Sequence, residues 1–594
     1  MNNNTDINFL LKEFSGGNKE SAYKKLIKIL HKRKDDDLLR YNVAVIEQEL
    51  NLNEKARLNY KIIINKKQNI KAMVNLYNLE IKEEKYNDAL RIINKVLELN
   101  NNLEFVAKDK AFVFLKLNKI DEAKSICNSL LRNNKENIDL LNVLGLCYLA
   151  EREIDKAIDI FNQILNYDEN NIAALNSLGR INHERRESVD AEKFFLKALK
   201  IDPSSYQVLN NIAGFYREEG NYYKSIDLYL RALELNPNNP YILNNLAKSY
   251  FDIDDFEKSE AYALRAHDLN KFDGNIKKIL SFIYLRKQEY KKGWLYFDGR
   301  LNNSDFIEKN ISYPELQIKI LKSKKINNNS KLLVLREQGV GDEILYGTMY
   351  RDALDNLTNI KIECDKRLLN LFRNSFDKYK DKFVKLGEIS SDKSKLDKFE
   401  KIIYAGSLGG LYRNNKKDFI KAPYLKAENY RVKNIENYLK QFNKKINIGI
   451  SWKSFKNRYS NEKSLSLYNF EKILKNLNYN FINLQYGNVK SEIEEFSDNT
   501  GINLITNDKI DLFNDFDDLA ALLKNLDLFL TVSNSTAHLA GALGVKTLLI
   551  KPSNHAMFHY WSQPSDKTPW YDSVILIDKN KLNDDDLIEN NLFL

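Results

Sequence analysis

The stretch of this chain best equipped for chemistry is LDLFLTVSNSTAHLAGALGVKTLLI, Leu526 to Ile550. Leu526–Val532 is an apolar, β-rich run of buried-strand length. Ser533, Asn534, Ser535 and Thr536 follow at once, and each is a side chain that caps a helix N-terminus. Ala537, Ala540, Gly541 and Ala542 are small enough for the helix to lie close against a sheet. Gly544 stands at the left-handed C-cap, and Lys546–Ile550 resumes a strand. Such a turn sets unbonded N–H groups and a helix dipole at the carboxyl end of a strand, which favours a phosphate. Ser and Thr caps also occur at ordinary strand–helix turns, so this one is an anion site only if other groups converge on it.

Two further stretches offer such groups. Lys331–Leu335 reads as a strand leading into REQGVGDEILYGTMYRDAL, where Gly339 and Gly341 make a flexible turn. Asp342 and Glu343 then sit at the start of a helix running to about Leu354. Ile344 stands where a dinucleotide fingerprint needs its third glycine, so this is not that motif. Ile446–Trp452 is a strand that puts Lys453 at its carboxyl end, and Phe481–Gln485 is the next, with Tyr486 and Gly487 opening its turn. Asp342 has the alternative of capping its helix, Lys453 of being a solvated strand-end lysine, and His538 of being a buried structural histidine. His555 and His559 carry no assignment, and no His/Cys/carboxylate cluster points to a metal.

The elements that must hold these residues form an alternating α/β pattern. Additional strands are expected at Ile360–Cys364, Phe383–Leu386 and Lys401–Ala405, with Gly406, Gly409 and Gly410 beyond the last, and Ser390–Phe399 is a solvated loop or helix face. A charged helical link near Asn434–Phe442 separates this set from the second, in which Asp517 and Asp518 precede an apolar helix. Two α/β halves with open turns at their strand ends imply a cleft between them.

Ahead of this region the chain repeats itself. Ala22, Ala56, Ala89, Ala123, Ala157, Ala191, Ser225, Ser259 and Gly293 recur at steps of about 34 residues, the tetratricopeptide period. Leu144-Gly145 and Leu178-Gly179 keep phase with Ile212-Ala213 and Leu246-Ala247, and Phe161, Phe195, Tyr229 and Phe297 share the aromatic position of the second helix. Small residues let paired helices approach, and the aromatics fill the space between hairpins. Asn142, Asn176, Asn210 and Asn244 fall in one register of the first helix, the helix that lines the concave surface of such arrays. A file of amides suits an extended peptide backbone, since each offers a donor and an acceptor.

The whole chain narrows the class. It has 594 residues, 43% hydrophobic and 29% charged, which suits several globular domains. The net charge of +10 is scattered among acidic residues, so no nucleic-acid stripe is expected. Cys127, Cys147 and Cys364 have neither disulfide nor zinc spacing, which points to a reducing compartment. The N-terminus lacks a signal-peptide pattern and no stretch reaches membrane-span length, so a cytoplasmic location is expected.

Taken together, the repeat array followed by EQGVGDE, GISWKS, NLQYG, DLAAL, AHLAGALG and TPWY resembles the bacterial tetratricopeptide-containing glycosyltransferases. These are related to the heptosyltransferases and to the protein O-GlcNAc transferases. The resemblance covers nearly the whole chain. It implies a tetratricopeptide superhelix over 1–301, a linker over 302–330, and a GT-B fold of two Rossmann-like domains. The acceptor-side domain would span 331–440 and the nucleotide-sugar donor domain 441–594. Transfer of a sugar from a nucleotide diphosphate would follow, without a bound metal or other cofactor, to an acceptor that the repeats present, most plausibly a protein. By the same resemblance Asp342 is the general base, Lys453 neutralises the diphosphate, and Ser535, Thr536, Ala537 and His538 hold the phosphates. Gln338, Gly341, Gln485, Ser533 and Asn534 would line the donor site. Ser533 stands where many relatives have Asp, and HAMFHYWSQPSD departs from their tryptophan-rich run. The alternatives are a non-catalytic scaffold with a degenerate GT-B half, and a transferase acting on a surface glycan or lipid-linked acceptor.

Overall fold

The structure is a computed structural model that describes residues 3–302, 306–307, 316–317, 319–320, 326–442, 446–454, 463–475, 479–552, 559–561, 565–584 and 586–592. His555, among the histidines left unassigned, lies outside the described residues. The chain divides into two compact units, Met1–Phe215 and Tyr216–Leu594.

Helical hairpins fill the first unit and open the second. Their first helices begin at Asn3, Asp37, Ile70, Glu104, Ile138, Ile172, Tyr206, Pro240 and Gly274, in the period read from the sequence. Local chemistry sets the boundaries. Asp36, Asn69, Asn137 and Asn171 cap their helices, each side-chain oxygen accepting the N–H three residues on at 2.9–3.2 Å. The turn inside each hairpin has a positive-φ residue, supplied in the first unit by Gly17, Asn51, Glu84, Asn118, Arg152 and Arg186 and in the second by Gly220, Asp254 and Gln288. Packing follows the small-plus-aromatic rule. A methyl group added at Gly145 would lie 2.8 Å from Phe161 Cζ, and one at Gly179 would lie 2.7 Å from Phe195 Cδ1.

The second unit continues from the last hairpins into two parallel sheets. The first has strands β1 (Leu332–Leu335), β2 (Ile360–Cys364), β3 (Phe383–Lys385) and β4 (Lys401–Tyr404), in the order β3-β2-β1-β4. The second has β5 (Asn447–Ser451), β6 (Asn480–Asn483), β7 (Leu504–Ile505), β8 (Leu528–Thr531), β9 (Thr547–Ile550) and β10 (Val574–Ile577), in the order β10-β9-β8-β5-β6-β7. Counted within that sheet, this is the doubly wound order 3-2-1-4-5-6, with its direction of winding reversing between β5 and β8. In the first sheet the reversal falls between β1 and β4. Apolar residues bury both faces of each sheet, as parallel strands require.

The helix expected to run from Asp342 to Leu354 is instead two helices, Val340–Gly347 and Tyr350–Asn356. Thr348, at the break, donates its hydroxyl to Leu345 O at 2.7 Å. The last hairpin belongs to the same core as the sheets. Leu285, Tyr290, Trp294 and Phe297 are buried with Val334, Ile344 and Trp570. Trp294 Nε1 donates to Arg413 O at 2.8 Å, and its ring lies where a side chain at Gly409 would have to be. Arg300 makes a buried two-bond pair with Glu337 at 2.8 and 2.9 Å, while Gly406 N–H donates to the same carboxylate at 2.5 Å. Gly406 and Gly409 are therefore glycines because other groups approach them closely.

Candidate functional site

The cleft forms where two helix N-termini converge, each following a strand beside a point of reversed winding. The Val340–Gly347 helix follows β1, and the Ser535–Leu543 helix follows β8. They approach closely because Gly341 has no side chain: a methyl group there would lie 3.1 Å from His538 Cδ2 and 3.3 Å from Ser535 Cα. The amides of Val340, Gly341, Ser535 and Thr536, in the first turns, have no backbone partner within their helices. Asn534 fixes the second terminus. Its Oδ1 accepts Ala537 N–H at 3.0 Å, and its Nδ2 donates to Ser451 Oγ at 2.8 Å, tying the ends of β5 and β8 together.

The cleft has a volume of about 290 Å³. Cationic side chains reach it from Arg336, Arg367 and Lys463, and aromatic ones from Tyr486, Phe513, Phe516 and Tyr560. Both arginines are pre-oriented. Arg336 Nε donates to Glu343 Oε2 at 2.8 Å, and Arg367 grips Asp365 with two bonds of 2.9 and 3.0 Å. Burial alone would raise the Asp365 carboxyl, but the bonds from Arg367 outweigh it and hold the group below the usual carboxylate range. Glu343 goes the other way: full burial pushes it up to about 7 against the pull of Arg336.

Of the residues expected at the site, Asp342, Gly341, Ser533, Asn534, Ser535 and His538 line this cleft. Asp342 serves its helix as well, since its Oδ2 accepts Gly339 N–H at 3.2 Å, while Tyr560 O–H donates to its Oδ1 at 3.4 Å. His538 is 4% exposed, with Nδ1 3.2 Å from the Tyr571 hydroxyl and its ring against Trp561. Tyr560 packs edge-on against both His538 and His559, and burial drives the His559 ring down to about 3, so it is neutral.

The other expected residues are absent from the cleft lining. Lys453 points its ammonium to Glu492, which also accepts Trp452 Nε1–H, and it is absent from the cleft lining. Gln485 is a buried brace whose Oε1 accepts from Ser451 Oγ, Trp452 N and Lys453 N. Thr536 and Ala537 side chains are buried in the helix packing, and the Ala537 amide is used by the Asn534 cap. Gln338 takes a left-handed conformation at φ 62° and is exposed outside the cleft. In the repeats, Asn142, Asn176 and Asn210 are half-buried. Asn211 joins two of them, donating to Asn176 Oδ1 at 3.0 Å and accepting from Asn210 at 3.2 Å. In the second unit Asn244 is 4% exposed, and its buried Oδ1 accepts no hydrogen bond among the described residues.

Sequence reasoning missed Arg336, Arg367, Lys463, Phe513 and Tyr560. Arg336 directly precedes the glycine turn and Arg367 follows β2, so basic residues at strand ends were the available signal. Among the described residues no group of three or more His, Cys, Asp or Glu side chains could hold a metal, and no helix is long and apolar enough to cross a membrane.

Comparison with known proteins bears on the helical part. The family described as "TPR repeat" matches residues 215–254, and the one described as "Psidin, N-terminal TPR repeats region" matches residues 71–179. The helical region is a tetratricopeptide array. Protein FlbA of Caulobacter vibrioides is 26% identical over 257 residues, which are 41% of this chain and 42% of that protein, so the match spans less than half of that relative. Among solved structures, the Cut9-Hcn1 complex of the APC/C is 14% identical with a TM-score of 0.37, covering 48% of this chain and 56% of that one. A tetratricopeptide repeat protein from Parabacteroides merdae is 17% identical with a TM-score of 0.32, covering 41% and 97%.

Proposed function

We propose that the protein is an inverting glycosyltransferase of GT-B type, using a nucleotide-diphosphate sugar and acting on a protein acceptor recruited by its tetratricopeptide array. The observation that carries this reading is the convergence of two helix N-termini, Arg336, Arg367 and Lys463 on one cleft that also holds Asp342. The helix termini and cations suit the two charges of a diphosphate, and the aromatic side of the cleft suits the rest of the donor. Asp342 takes the proton of the acceptor hydroxyl as that oxygen attacks the anomeric carbon. The bond from that carbon to the phosphate oxygen breaks, and its electron pair leaves with the nucleoside diphosphate. Amides at Ser535 and Thr536 and the nearby cations stabilise the charge where it develops.

Lys453, tied to Glu492, is assigned no part in this step. Lys463 and the two arginines take the diphosphate role instead. Acceptor capture falls to the repeat surface, where the half-buried amides of Asn142, Asn176 and Asn210 offer backbone-like partners.

The test is Asp342→Asn. The amide still accepts Gly339 N–H, so the helix cap persists, but it cannot take a proton. The single-turnover transfer rate should fall by about 10²–10⁴-fold with donor affinity retained. A variant that turns over normally and only melts lower would leave Asp342 as a helix cap and favour the scaffold alternative.

A further inference from the structure

Beside the cleft lies a second recess of about 360 Å³ at the carboxyl ends of β2 and β3, lined by Lys366, Arg367, Lys385, Leu386 and Phe513 together with Asp365 and Asn514. We propose that this recess binds acidic side chains of the acceptor polypeptide next to the reaction cleft. The proposal rests on the glycosyltransferase reading and names the acceptor chemistry that reading leaves open.

The charge balance of the recess is positive. Asp365, the acidic group in its wall, is held by two bonds from Arg367, and Arg336 lies 3.5 Å away, so its charge is already met. Lys366 and Lys385 are exposed, and neither enters an ion pair among the described residues. Glu388, close to Lys385 in the chain, turns its carboxylate to the Lys385 backbone N–H at 3.3 Å. The apolar groups are as telling as the cations. Leu386 is 42% exposed and Phe513 54%, so an occupant that is both acidic and apolar would cover surface now facing water.

Position separates this ligand from the donor. Arg367 and Phe513 line both the recess and the cleft. The Arg367 guanidinium stacks over the Phe513 ring at 5.2 Å and donates to Phe513 O at 3.2 Å, making one shared wall. In the glycosyltransferase reading the diphosphate is held on the cleft side of that wall, by the two helix termini with Arg336, Lys463 and Arg367. Additional cations on the side of the first sheet, which also carries Asp342, call for a second anionic partner. A polypeptide is favoured over a lipid because the same chain carries a tetratricopeptide array, a scaffold whose extended surfaces hold polypeptide segments.

The experiment titrates the full-length protein with a labelled synthetic peptide alternating Glu with Leu and Phe. Controls are the same peptide with Lys for Glu, and anionic phospholipid vesicles. The variant is Lys366→Glu/Lys385→Glu, two exposed positions, with its melting temperature checked. The acidic peptide should bind the wild type, weaken with salt, and lose about tenfold or more in affinity on the variant, while the Lys peptide fails to bind. Equal binding to wild type and variant, no binding to either, or binding of vesicles in place of the peptide would overturn the proposal. Nucleoside diphosphate affinity is measured on both proteins: its absence from both counts against the glycosyltransferase reading, whereas its persistence with unaltered peptide binding counts against the recess alone.

Discussion

At the scale of the residue, the segment EQGVGDE divides its acids among three tasks. Glu337 pairs with Arg300 in the core, Glu343 orients Arg336 and accepts the Asp365 backbone N–H, and Asp342 alone of the three lines the cleft. Composition could not separate them, because the distinction depends on which partners the fold brings from distant positions. Glu343 yields a prediction with a definite sign. Its carboxyl titrates near 4.5 when exposed but is raised to about 7 by burial in the folded protein. Between those values the folded state binds the extra proton, so this group's contribution to stability falls as pH rises from about 4.5 to about 7. Glu343→Gln removes that term. Denaturant unfolding across the window should find the variant gaining on the wild type as pH rises, and a difference that stays flat with pH would contradict the assignment.

At the scale of the element, periodicity was the strongest signal. The hairpins recur where small residues and aromatics keep a common phase, because each repeat solves the same packing problem. Gly179 tests this directly. An added methyl group would meet the Phe195 ring at 2.7 Å, with Phe195 itself fully buried. Gly179→Ala should therefore destabilise the first unit by about 1–3 kcal/mol, measured by chemical denaturation, as overpacking generally does. A neutral outcome would mean that the ring can move aside. Among the strands, β1 to β6, β8 and β9 are legible as apolar runs between turn signals. β7 has two residues, too few to show a pattern, whereas β10 is as long as β1 and its apolar run was passed over. The left-handed Gly544 and the Asn534 cap were legible because each is local chemistry. The pairing of Lys453 with Glu492 was not legible for the converse reason: the two lie 39 residues apart.

At the scale of the whole molecule, the last hairpin and the α/β region share one core, held by Trp294 on Gly409 and by Arg300 in its buried pair with Glu337. The two parallel sheets and the cleft at their strand ends follow from alternating apolar segments, so the existence of a cleft was legible. Its cationic lining was not, because Arg336, Arg367 and Lys463 come together only in the fold. The central claim is that this cleft receives a nucleoside diphosphate. The most direct measurement is the melting temperature of the full-length protein with a panel of nucleoside diphosphates and their sugar conjugates, with orthophosphate as control. At least one nucleotide should raise the transition, since a ligand at 100 times its Kd adds about 2.7 kcal/mol to the folded state. The same ligand should act much more weakly on a variant with Arg336 and Lys463 replaced by Ala. A panel in which no nucleoside diphosphate shifts the wild-type protein, or in which the shift survives loss of both cations, would contradict the account.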